Sequence, residues 1–250
     1  MAKNRLDMVM LKRGLADTRN KAQALIMSGF VLVDDQKITK SGHMVADDAD
    51  IRILREFPTY VSRGGDKLQG AWKAFQFLIE GRVCLDVGLS TGGFTDFLLR
   101  NGAKLVFGVD VAYGEVDFSL RNNSKVVLVE RTNARTLTRA MLGREEADDI
   151  SLVVMDVSFI SVTKVLPAIQ KIARPDADYV ILIKPQFEAE KGQVGKGGII
   201  RDPAIHDQIL KNVTEKLENL GFLVTKSCES PILGGKGNKE FFFLLKYSFR

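Results

Sequence analysis

The sequence predicts an α/β protein in which a doubly wound, mostly parallel sheet follows a small α+β unit. In the larger part of the chain, five short and nearly all-apolar segments alternate with helical patterns, which is typical of parallel strands covered on both faces. Two further apolar segments near the end are joined by a glycine-rich loop without a helix, which predicts an antiparallel pair at one edge of the sheet. The first part of the chain has shorter patterns and a basic start, which predicts a separate unit.

The composition is that of a globular protein. The 250 residues are enough for two domains, and 45% are hydrophobic and 27% charged. A net charge of +5 permits an anionic partner. The two cysteines, Cys84 and Cys228, cannot form a disulfide framework or a CxxC metal site. Because the chain shows no apolar signal core and its longest apolar runs have five residues, we expect a cytoplasmic protein without a membrane segment or a metal.

The first unit reads as two helices followed by short strands. Residues 1–21 hold six basic and two acidic side chains, so this end of the chain is locally positive. The predicted elements are a helix over 4–13 that ends at Gly14, a helix capped by Asp17 or Thr18 that ends near Gly29, a hairpin with strands at 30–33 and 37–38 that turns at Asp34-Asp35, and a strand over 50–54.

Pro58 and the stretch 62–65 predict a hinge, so we expect a first domain over 1–60 and a second over 61–250. In the second domain the predicted strands cover 83–87, 105–109, 126–129, 152–155 and 179–183, and the edge pair covers 222–225 and 241–246. The predicted helices cover 66–77, 94–100, 162–173 and 204–220.

A glycine-rich stretch at 86–94, Asp-Val-Gly-Leu-Ser-Thr-Gly-Gly-Phe, joins the first of these strands to a helix. Small residues let a ligand approach the backbone, and a helix N-terminus offers free N–H groups. Asp110 ends the next strand, where a carboxylate can accept hydrogen bonds from both hydroxyls of a ribose. Because ligands of open α/β sheets bind at the carboxyl ends of the strands, these features predict a nucleoside-cofactor site.

The spacing of the glycines narrows the class of cofactor. Glycines at 88, 92 and 93 do not match the dinucleotide fingerprint GxGxxG, and no lysine follows Gly93 as a phosphate-binding loop requires. S-adenosylmethionine has no phosphate and carries a sulfonium cation, which suits the acidic Asp86. The sequence therefore favours S-adenosylmethionine.

The same stretch also fits the GxSxG nucleophile elbow of α/β-hydrolases, with Ser90 as the nucleophile. Asp156 or Asp202, followed by His206, would give the required order of acid and histidine. Two features speak against this alternative. The elbow normally follows several strands, and His206 falls in the first turn of a predicted helix, where we expect a surface or N-terminal helix position.

Four charged residues are predicted to meet at the carboxyl edge of the sheet. They stand near strand ends or at the start of the preceding helix: Lys67, Asp156, Lys184 and Glu240. A lysine at the end of a buried strand is costly unless it is paired, so Lys184 beside Asp156 is physically reasonable. A structural ion pair would explain any one pair, but four such residues beside a cofactor loop favour catalysis.

These residue types suit transfer of a methyl group to a ribose 2′-hydroxyl. Burial and a second ammonium nearby favour the neutral amine of a lysine, which can orient the hydroxyl or take its proton. Asp156 and Glu240 would hold the two lysines in position. Alignment would supply much of the rate, because methyl transfer needs an in-line approach to the sulfonium.

Motifs spread over nearly the whole chain resemble a known family. The segment RLDMVMLKRGLADTRNKAQALIMSGFVLVDDQKITKSGHMV resembles the small RNA-binding module of the fourth small-subunit ribosomal protein. The motifs SRGGDKL, CLDVGLSTGGFTD, GVDVAYG, ERTN, MDVSFIS, IKPQFE and GNKEFF together resemble the TlyA family of RNA 2′-O-ribose methyltransferases, some of which carry the older label hemolysin. Its catalytic domain is similar to the FtsJ type, so the resemblance implies a Rossmann-like class I methyltransferase sheet.

The resemblance also implies roles for individual residues. The FtsJ tetrad of Lys, Asp, Lys and Glu matches Lys67, Asp156, Lys184 and Glu240. The cofactor motif matches Asp86, Gly88, Ser90, Thr91, Gly92, Gly93 and Phe94, with Asp110 at the ribose and with Asn133 and Asp156 flanking the adenine and methionine ends. The implied reaction is methylation of cytidine 2′-hydroxyls in ribosomal RNA, free or in ribosomal subunits.

For RNA contacts we expect basic side chains on two short N-terminal helices, namely Arg5, Lys12, Arg13, Arg19 and Lys21. Arg63, near the hinge, would join the RNA to the active edge, and the basic, glycine-rich loop 191–201 would close over the substrate. Two alternatives to the enzyme stay open. One is a non-catalytic RNA-binding or ribosome-assembly protein, and the other is a membrane-lytic hemolysin, for which no amphipathic β pattern or long apolar helix is visible.

Overall fold

A computed structural model describes residues 3–27, 29–54, 59–190 and 192–248. The chain divides into two compact units, Met1–Pro58 and Thr59–Arg250. The domain boundary at residue 60 stays a prediction, and the part of the predicted hinge at Pro58 lies outside the described residues.

The first unit has two short helices and two small antiparallel sheets. Its elements are β1 (Lys3–Arg5), α1 (Leu6–Lys12), α2 (Arg19–Met27), β2 (Val31–Val33), β3 (Gln36–Ile38), β4 (Met44–Ala46) and β5 (Ile51–Ile53). Strand β2 lies between β3 and β5, and β1 pairs with β4. Apolar side chains of both helices and of β2, including Leu6, Leu25 and Val31, are fully buried between these elements.

The predicted hairpin is confirmed, with Val31 opposite Ile38 and with Asp34 and Asp35 at positive φ in the turn. The first helix begins at Leu6 and not at residue 4, because Asn4 lies in β1 opposite Val45 of β4. Pattern reasoning missed both strands, since three-residue strands leave too few side chains to show an alternation.

The second unit is a seven-stranded sheet between two layers of helices. Its strands are β6 (Val83–Val87), β7 (Leu105–Val109), β8 (Val126–Val129), β9 (Ile150–Met155), β10 (Asp178–Ile183), β11 (Phe222–Glu229) and β12 (Phe241–Tyr247). Its helices are α3 (Arg63–Phe75), α4 (Gly93–Arg100), α5 (Phe118–Arg121), α6 (Leu166–Gln170), α7 (Pro185–Glu188) and α8 (Pro203–Asn219), with 3₁₀ turns at Ala134–Thr136, Arg139–Leu142, Glu145–Asp149, Val162–Lys164 and Lys196–Gly198.

The strand order is β11-β12-β10-β9-β6-β7-β8, and the five strands from β10 to β8 are parallel. Strand β12 runs antiparallel to β10 and to β11, so the predicted antiparallel pair lies at one edge. Alternate residues of each strand face opposite layers. On β10, Val180 and Leu182 pack with α3 and α4, whereas Ile181 and Ile183 pack with α6 and α8. The doubly wound fold class is thus confirmed.

Two predicted elements differ from the structure. Helix α3 begins at Arg63, so the stretch 62–65 is not a hinge but the cap and first turn of a helix. The helix predicted over 162–173 is a 3₁₀ turn followed by the short α6, because Pro167 stands in the first turn of α6 and has no N–H to continue a helix from before it.

Candidate active site

The predicted loop between β6 and α4 forms one wall of the site. Gly88 has a φ of +88°, and a Cβ there would collide with the carbonyl oxygen of Asp156. At Gly93, a Cβ would meet the Ser62 hydroxyl and would lie 2.8 Å from the backbone nitrogen of Gly65. Glycine at these two positions therefore lets the loop approach the end of β9 on one side and the start of α3 on the other.

The four charged residues predicted to meet do so. Lys67 on α3 donates a hydrogen bond to Glu240, with Nζ and Oε2 2.6 Å apart, and lies 4.0 Å from Asp156 Oδ2. Lys184 Nζ, just after β10, lies 2.5 Å from Asp156 Oδ1. Lys67 and Glu240 are both buried, whereas Asp156 and Lys184 are partly exposed. The sequence expectation that these groups share one edge is confirmed, and their catalytic roles stay a prediction.

Charge balance explains how this cluster is tolerated. Two ammonium groups face two carboxylates, so no buried charge is left without an opposite charge. The Lys184 amine has a further partner, because its Nζ lies 2.8 Å from the hydroxyl of Ser158. An ammonium has three N–H donors, so two partners on the protein side leave one donor position of Lys184 for a group outside.

A cavity of about 360 Å³ lies beside this cluster, at the carboxyl ends of β6, β7 and β9. Asp110 is at its wall, with Oδ2 accepting a hydrogen bond from the Ser90 N–H and Oδ1 from the Ala112 N–H. Each oxygen keeps capacity for one more donor, as a ribose with two hydroxyls requires. Asn133 also lines this cavity, and its Oδ1 accepts a hydrogen bond from the Arg135 N–H, which leaves its amide NH₂ to donate.

A second cavity, of about 210 Å³, continues from the first and shares Gly88, Ser90 and Asp156 with it. Its walls include Arg63, Lys67 and the first residues of α3 and α4. Two helix N-termini and two basic side chains make this end suitable for a carboxylate. The joined cavities therefore fit S-adenosylmethionine, whose ribose would meet Asp110 and whose methionine carboxylate would meet the helix starts.

Most of the residues predicted to bind the cofactor line these cavities. They are Gly88, Ser90, Thr91, Gly93, Phe94, Asp110, Asn133 and Asp156. Gly92 does not, since it faces Leu120. Leu89, the bulky residue of the loop, is buried with Val116 and Leu120 in a small apolar cluster.

Asp86, also predicted to bind the cofactor, lies behind the loop and lines neither cavity. It is buried, and its Oδ2 accepts a hydrogen bond from the Thr95 hydroxyl at 2.7 Å. Burial raises the pKa of Asp86 to about 7, the charges of Asp156 and Asp110 act in the same direction, and the Thr95 hydrogen bonds oppose them. Asp86 would therefore act on a cofactor through its charge and not by contact.

The hydrolase alternative fails on the position of its histidine. His206 is buried in the first turn of α8 with its ring centroid 5.8 Å from that of Phe241, and it lines neither cavity that holds Ser90. His206 does lie at the N-terminal end of the helix, as one of the two expected positions, but it is not at the surface, because the apolar face of α8 packs against the sheet at this point.

The basic residues predicted to contact RNA have different local roles. Arg5 lies in β1 and not on a helix, and it forms an ion pair with the buried Asp7, as does Arg19 of α2. Arg13 follows α1 and donates hydrogen bonds to the backbone carbonyls of Ala49 and Asp47, which gives it a structural role. Lys12 lies 3.5 Å from Asp47, and Lys21 lies 2.7 Å from Asp17. Arg63 is exposed at the smaller cavity.

Three residues at the site were missed by sequence reasoning. Ser62 precedes α3 at the smaller cavity, and Ser158 and Phe159 follow Asp156 at the larger one. Phe159 is 88% exposed at a φ of +63°, and its ring centroid lies 5.0 Å from that of Phe187. For Ser158 and Phe159 the signal was a distance of two or three residues from the strand-end Asp156, but a phenylalanine there cannot be told from a core residue by pattern.

The described residues contain neither a membrane-spanning helix nor a cluster of metal-ligand side chains. No helix among them is long and apolar enough to cross a membrane. No group of three or more histidine, cysteine, aspartate or glutamate side chains in the same ranges is arranged to hold a metal ion.

Comparison with known proteins adds family information to this geometry. The family model for FtsJ-like methyltransferases matches residues 60–247, and the model for the S4 domain matches residues 4–51. The chain is 43% identical to a protein named hemolysin A in Brachyspira hyodysenteriae, and the match covers 95% of this chain and 97% of that protein. It is also 43% identical, over 97% of this chain and 89% of the relative, to the 16S/23S rRNA (cytidine-2′-O)-methyltransferase TlyA of Mycobacterium tuberculosis H37Rv. A solved structure from Streptococcus thermophilus, described as a hemolysin, has a TM-score of 0.76 and 39% identity over 99% of this chain and 90% of that one.

Proposed function

The chain belongs to the FtsJ-like methyltransferase family, and from that premise we propose that it methylates a ribose 2′-hydroxyl, of cytidine, in ribosomal RNA. S-adenosylmethionine is the methyl donor. The observation that carries this proposal is the cluster of Lys67, Asp156, Lys184 and Glu240, which reaches both cavities through Asp156 and the smaller one through Lys67 as well.

The donor supplies a methyl group activated by a positive sulfonium, so the protein does not need to activate the carbon. What it must do is hold the ribose hydroxyl of the RNA in line with that carbon and accept its proton as it reacts. A ribose hydroxyl is a weak acid, so a base beside it lowers the barrier.

Lys184 is the best placed base. Its amine is held by Asp156 and Ser158, which both line the larger cavity, and the side chain itself is partly exposed. For this step Lys184 acts as the neutral amine, with a lone pair in place of its third N–H. With S-adenosylmethionine bound, that lone pair would accept the hydroxyl proton as the oxygen bonds to the methyl carbon and the carbon–sulfur electron pair stays on sulfur. Asp156 stabilises the resulting ammonium.

Lys67 and Glu240 lie deeper in the site than Lys184, since both of their side chains are buried. The Lys67 ammonium is held by Glu240 at 2.6 Å and lines the smaller cavity, where it places positive charge near the nucleophile. Positive charge there stabilises the alkoxide character of the oxygen as its proton leaves.

RNA as the substrate class is supported by the S4 domain match over residues 4–51 and by the basic start of the chain, where residues 1–21 hold six basic and two acidic side chains. Such side chains contact phosphates and give salt-dependent affinity with weak sequence preference. The choice of cytidine in ribosomal RNA is taken from the activity named for the mycobacterial relative.

Labelled methyl transfer tests this function. Wild-type protein, labelled S-adenosylmethionine and ribosomal subunits that lack the modification are incubated, and the RNA is digested to nucleosides. We expect label in 2′-O-methylcytidine. Label on a base, or no label in RNA from intact or dissociated ribosomes, would contradict the proposal and favour a non-catalytic RNA-binding protein. Release of dye from lipid vesicles by the pure protein would instead favour the lytic alternative.

A further inference from the structure

A fully buried carboxylate organises two arginines on the surface of the first unit. Asp7, in the first turn of α1, is 0% exposed. Arg5 donates two parallel hydrogen bonds to it, from Nε to Oδ1 and from Nη2 to Oδ2, each 3.0 Å long. Arg19 donates from Nε to Oδ2 at 3.1 Å, and Gln23 donates to the same oxygen at 2.8 Å. Asp7 thus joins β1, α1 and α2.

The carboxylate is firmly ionised in this setting. The hydrogen bonds from Arg5, Gln23 and Arg19 and the positive charge of Arg5 hold the pKa of Asp7 well below its usual range, although burial opposes them. Oδ2 accepts three of these four hydrogen bonds and Oδ1 accepts one. Arg5 binds both oxygens and Arg19 binds Oδ2 alone, so the two arginines are held in different positions on Asp7.

Both guanidinium groups keep donors that face outward. The side chains of Arg5 and Arg19 are 44% and 50% exposed. Arg19 reaches Asp7 through Nε, and among the described residues none accepts a hydrogen bond from its two terminal nitrogens. The two arginines lie within about 6 Å of each other, since each has a nitrogen about 3 Å from the same Asp7 oxygen. One phosphate, or two successive ones, can contact both.

The other cations predicted to bind RNA differ from this pair. Arg13 is engaged with backbone carbonyls, and the acids beside Lys12 and Lys21 are themselves exposed. Arg5 and Arg19 outnumber the single buried acid that holds them, which leaves a fixed net positive charge at the surface. Gly42 leaves room for this arrangement, because a Cβ there would lie 3.1 Å from Arg5 Nη1.

We propose that Arg5 and Arg19 form a preformed clamp for the phosphodiester backbone of RNA, and that the buried Asp7 is the positioning residue that fixes it. This inference rests on the proposed function only in that RNA is the ligand. It requires that the fixed geometry of the two guanidinium groups raises the affinity for RNA by more than the negative charge of Asp7 lowers it.

The substitution Asp7→Asn separates the effect of geometry from that of charge, because the two predict opposite changes in RNA affinity. It raises the net charge of the unit by one, so a purely electrostatic surface would bind RNA more tightly. If Asp7 positions the arginines, binding weakens. Asp17→Asn is the matched control, since Asp17 is an exposed acid paired with Lys21 on the same unit and its substitution adds the same charge.

Affinity of the full chain for a ribosomal RNA fragment is measured by anisotropy at several salt concentrations. We expect Asp7→Asn to weaken binding roughly fivefold relative to wild type, and Asp17→Asn to leave it unchanged or strengthen it about twofold. Affinity of Asp7→Asn equal to or tighter than that of Asp17→Asn would overturn the positioning role.

A thermal melt and binding of S-adenosylmethionine show whether each variant is folded. If Asp7→Asn unfolds the first unit, Arg5→Lys and Arg19→Lys serve in its place, because each keeps the charge and loses the planar fork. We expect each to weaken RNA binding about threefold or more at unchanged net charge; unchanged affinity in both would overturn the clamp. Wild-type protein that binds no RNA would instead refute the proposed substrate class, and the clamp with it.

Discussion

Lys67 Nζ lies 2.6 Å from Glu240 Oε2, although 173 residues separate the two along the chain. The pair joins the first helix of the second unit, α3, to the residue just before its last strand, β12, and both side chains are buried. This contact therefore connects the stability of the fold to the geometry of the site.

Removing one partner of this pair will cost stability as well as activity. We expect Glu240→Ala to lower the free energy of unfolding by about 3 kcal/mol, because it leaves the Lys67 ammonium buried with only the more distant Asp156. The double variant Lys67→Met with Glu240→Leu will recover most of that loss while staying inactive in methyl transfer. Denaturant unfolding and labelled methyl transfer are the measurements. A double variant less stable than Glu240→Ala, or one that retains activity, would contradict this account of the pair.

Ser158 will affect turnover more than cofactor binding. Its hydroxyl is one of two partners that fix Lys184 Nζ. We expect Ser158→Ala to lower kcat about tenfold and to change the Kd of S-adenosylmethionine less than twofold. Ser158→Thr keeps a hydroxyl at this position and will retain most of the activity. An equal loss of kcat in both variants would show that the hydroxyl is not what matters.

The protonation of Asp86 predicts a pH dependence of stability. Its pKa is raised to about 7 by burial, while in the unfolded chain an aspartate ionises near pH 4. Between these values the unfolded chain binds fewer protons than the folded one, so the stabilising effect of the protonated form is lost as pH rises from about 4 to about 7. Asp86→Asn lacks this loss and will gain stability relative to wild type over that range. A constant difference in the free energy of unfolding between the two proteins from pH 4.5 to 8 would contradict it.

The same group will influence cofactor affinity. An ionised Asp86 behind the loop attracts a sulfonium cation, so affinity for S-adenosylmethionine will rise through pH 7 in wild type and rise less in Asp86→Asn. Calorimetry at pH 6 and pH 8 measures this. The neutral analogue S-adenosylhomocysteine, which lacks the sulfonium charge, is the control and will show a smaller change.

Asp7 predicts the opposite pH sensitivity for the first unit. Its folded pKa is depressed by Arg5, Gln23 and Arg19, so its contribution is fully present above the unfolded pKa near 4 and is lost as pH falls below that value. We expect Asp7→Asn to be less stable than wild type at pH 7 and to approach it as the pH falls to about 2. Thermal unfolding across this range follows the effect. A stability difference that does not shrink on acidification would refute the ionised state of Asp7.

The sequence was most informative where the parallel sheet imposes geometry. Asp156 and Lys184 each follow an all-apolar strand, and neighbouring parallel strands end at the same edge, so their approach was predictable. Lys67 was expected at this edge because it stands at the start of the helix before β6. Glu240 was expected there because it comes directly before the antiparallel strand β12.

Other features depend on contacts that no local pattern encodes. Asp86 was predicted to touch the cofactor because it stands in the glycine-rich motif, but a strand buried on both faces gives no signal of which side its carboxylate occupies. Arg13 and Arg19 look alike in a basic segment, whereas Arg13 donates to carbonyls of residues more than thirty positions away. Ser158 became visible only once its distance to Lys184 was known.

The most direct test of the central claim compares methyl transfer with cofactor binding in Lys184→Ala. Single-turnover transfer of labelled methyl groups to unmodified ribosomal subunits and calorimetric binding of S-adenosylmethionine are measured on the same preparation, with the exposed Lys171→Ala as control. The account predicts a rate at least about 100-fold below wild type, an almost unchanged Kd for the cofactor, and wild-type behaviour of the control. Transfer at the wild-type rate in Lys184→Ala, or loss of cofactor binding that accounts for the whole defect, would contradict it.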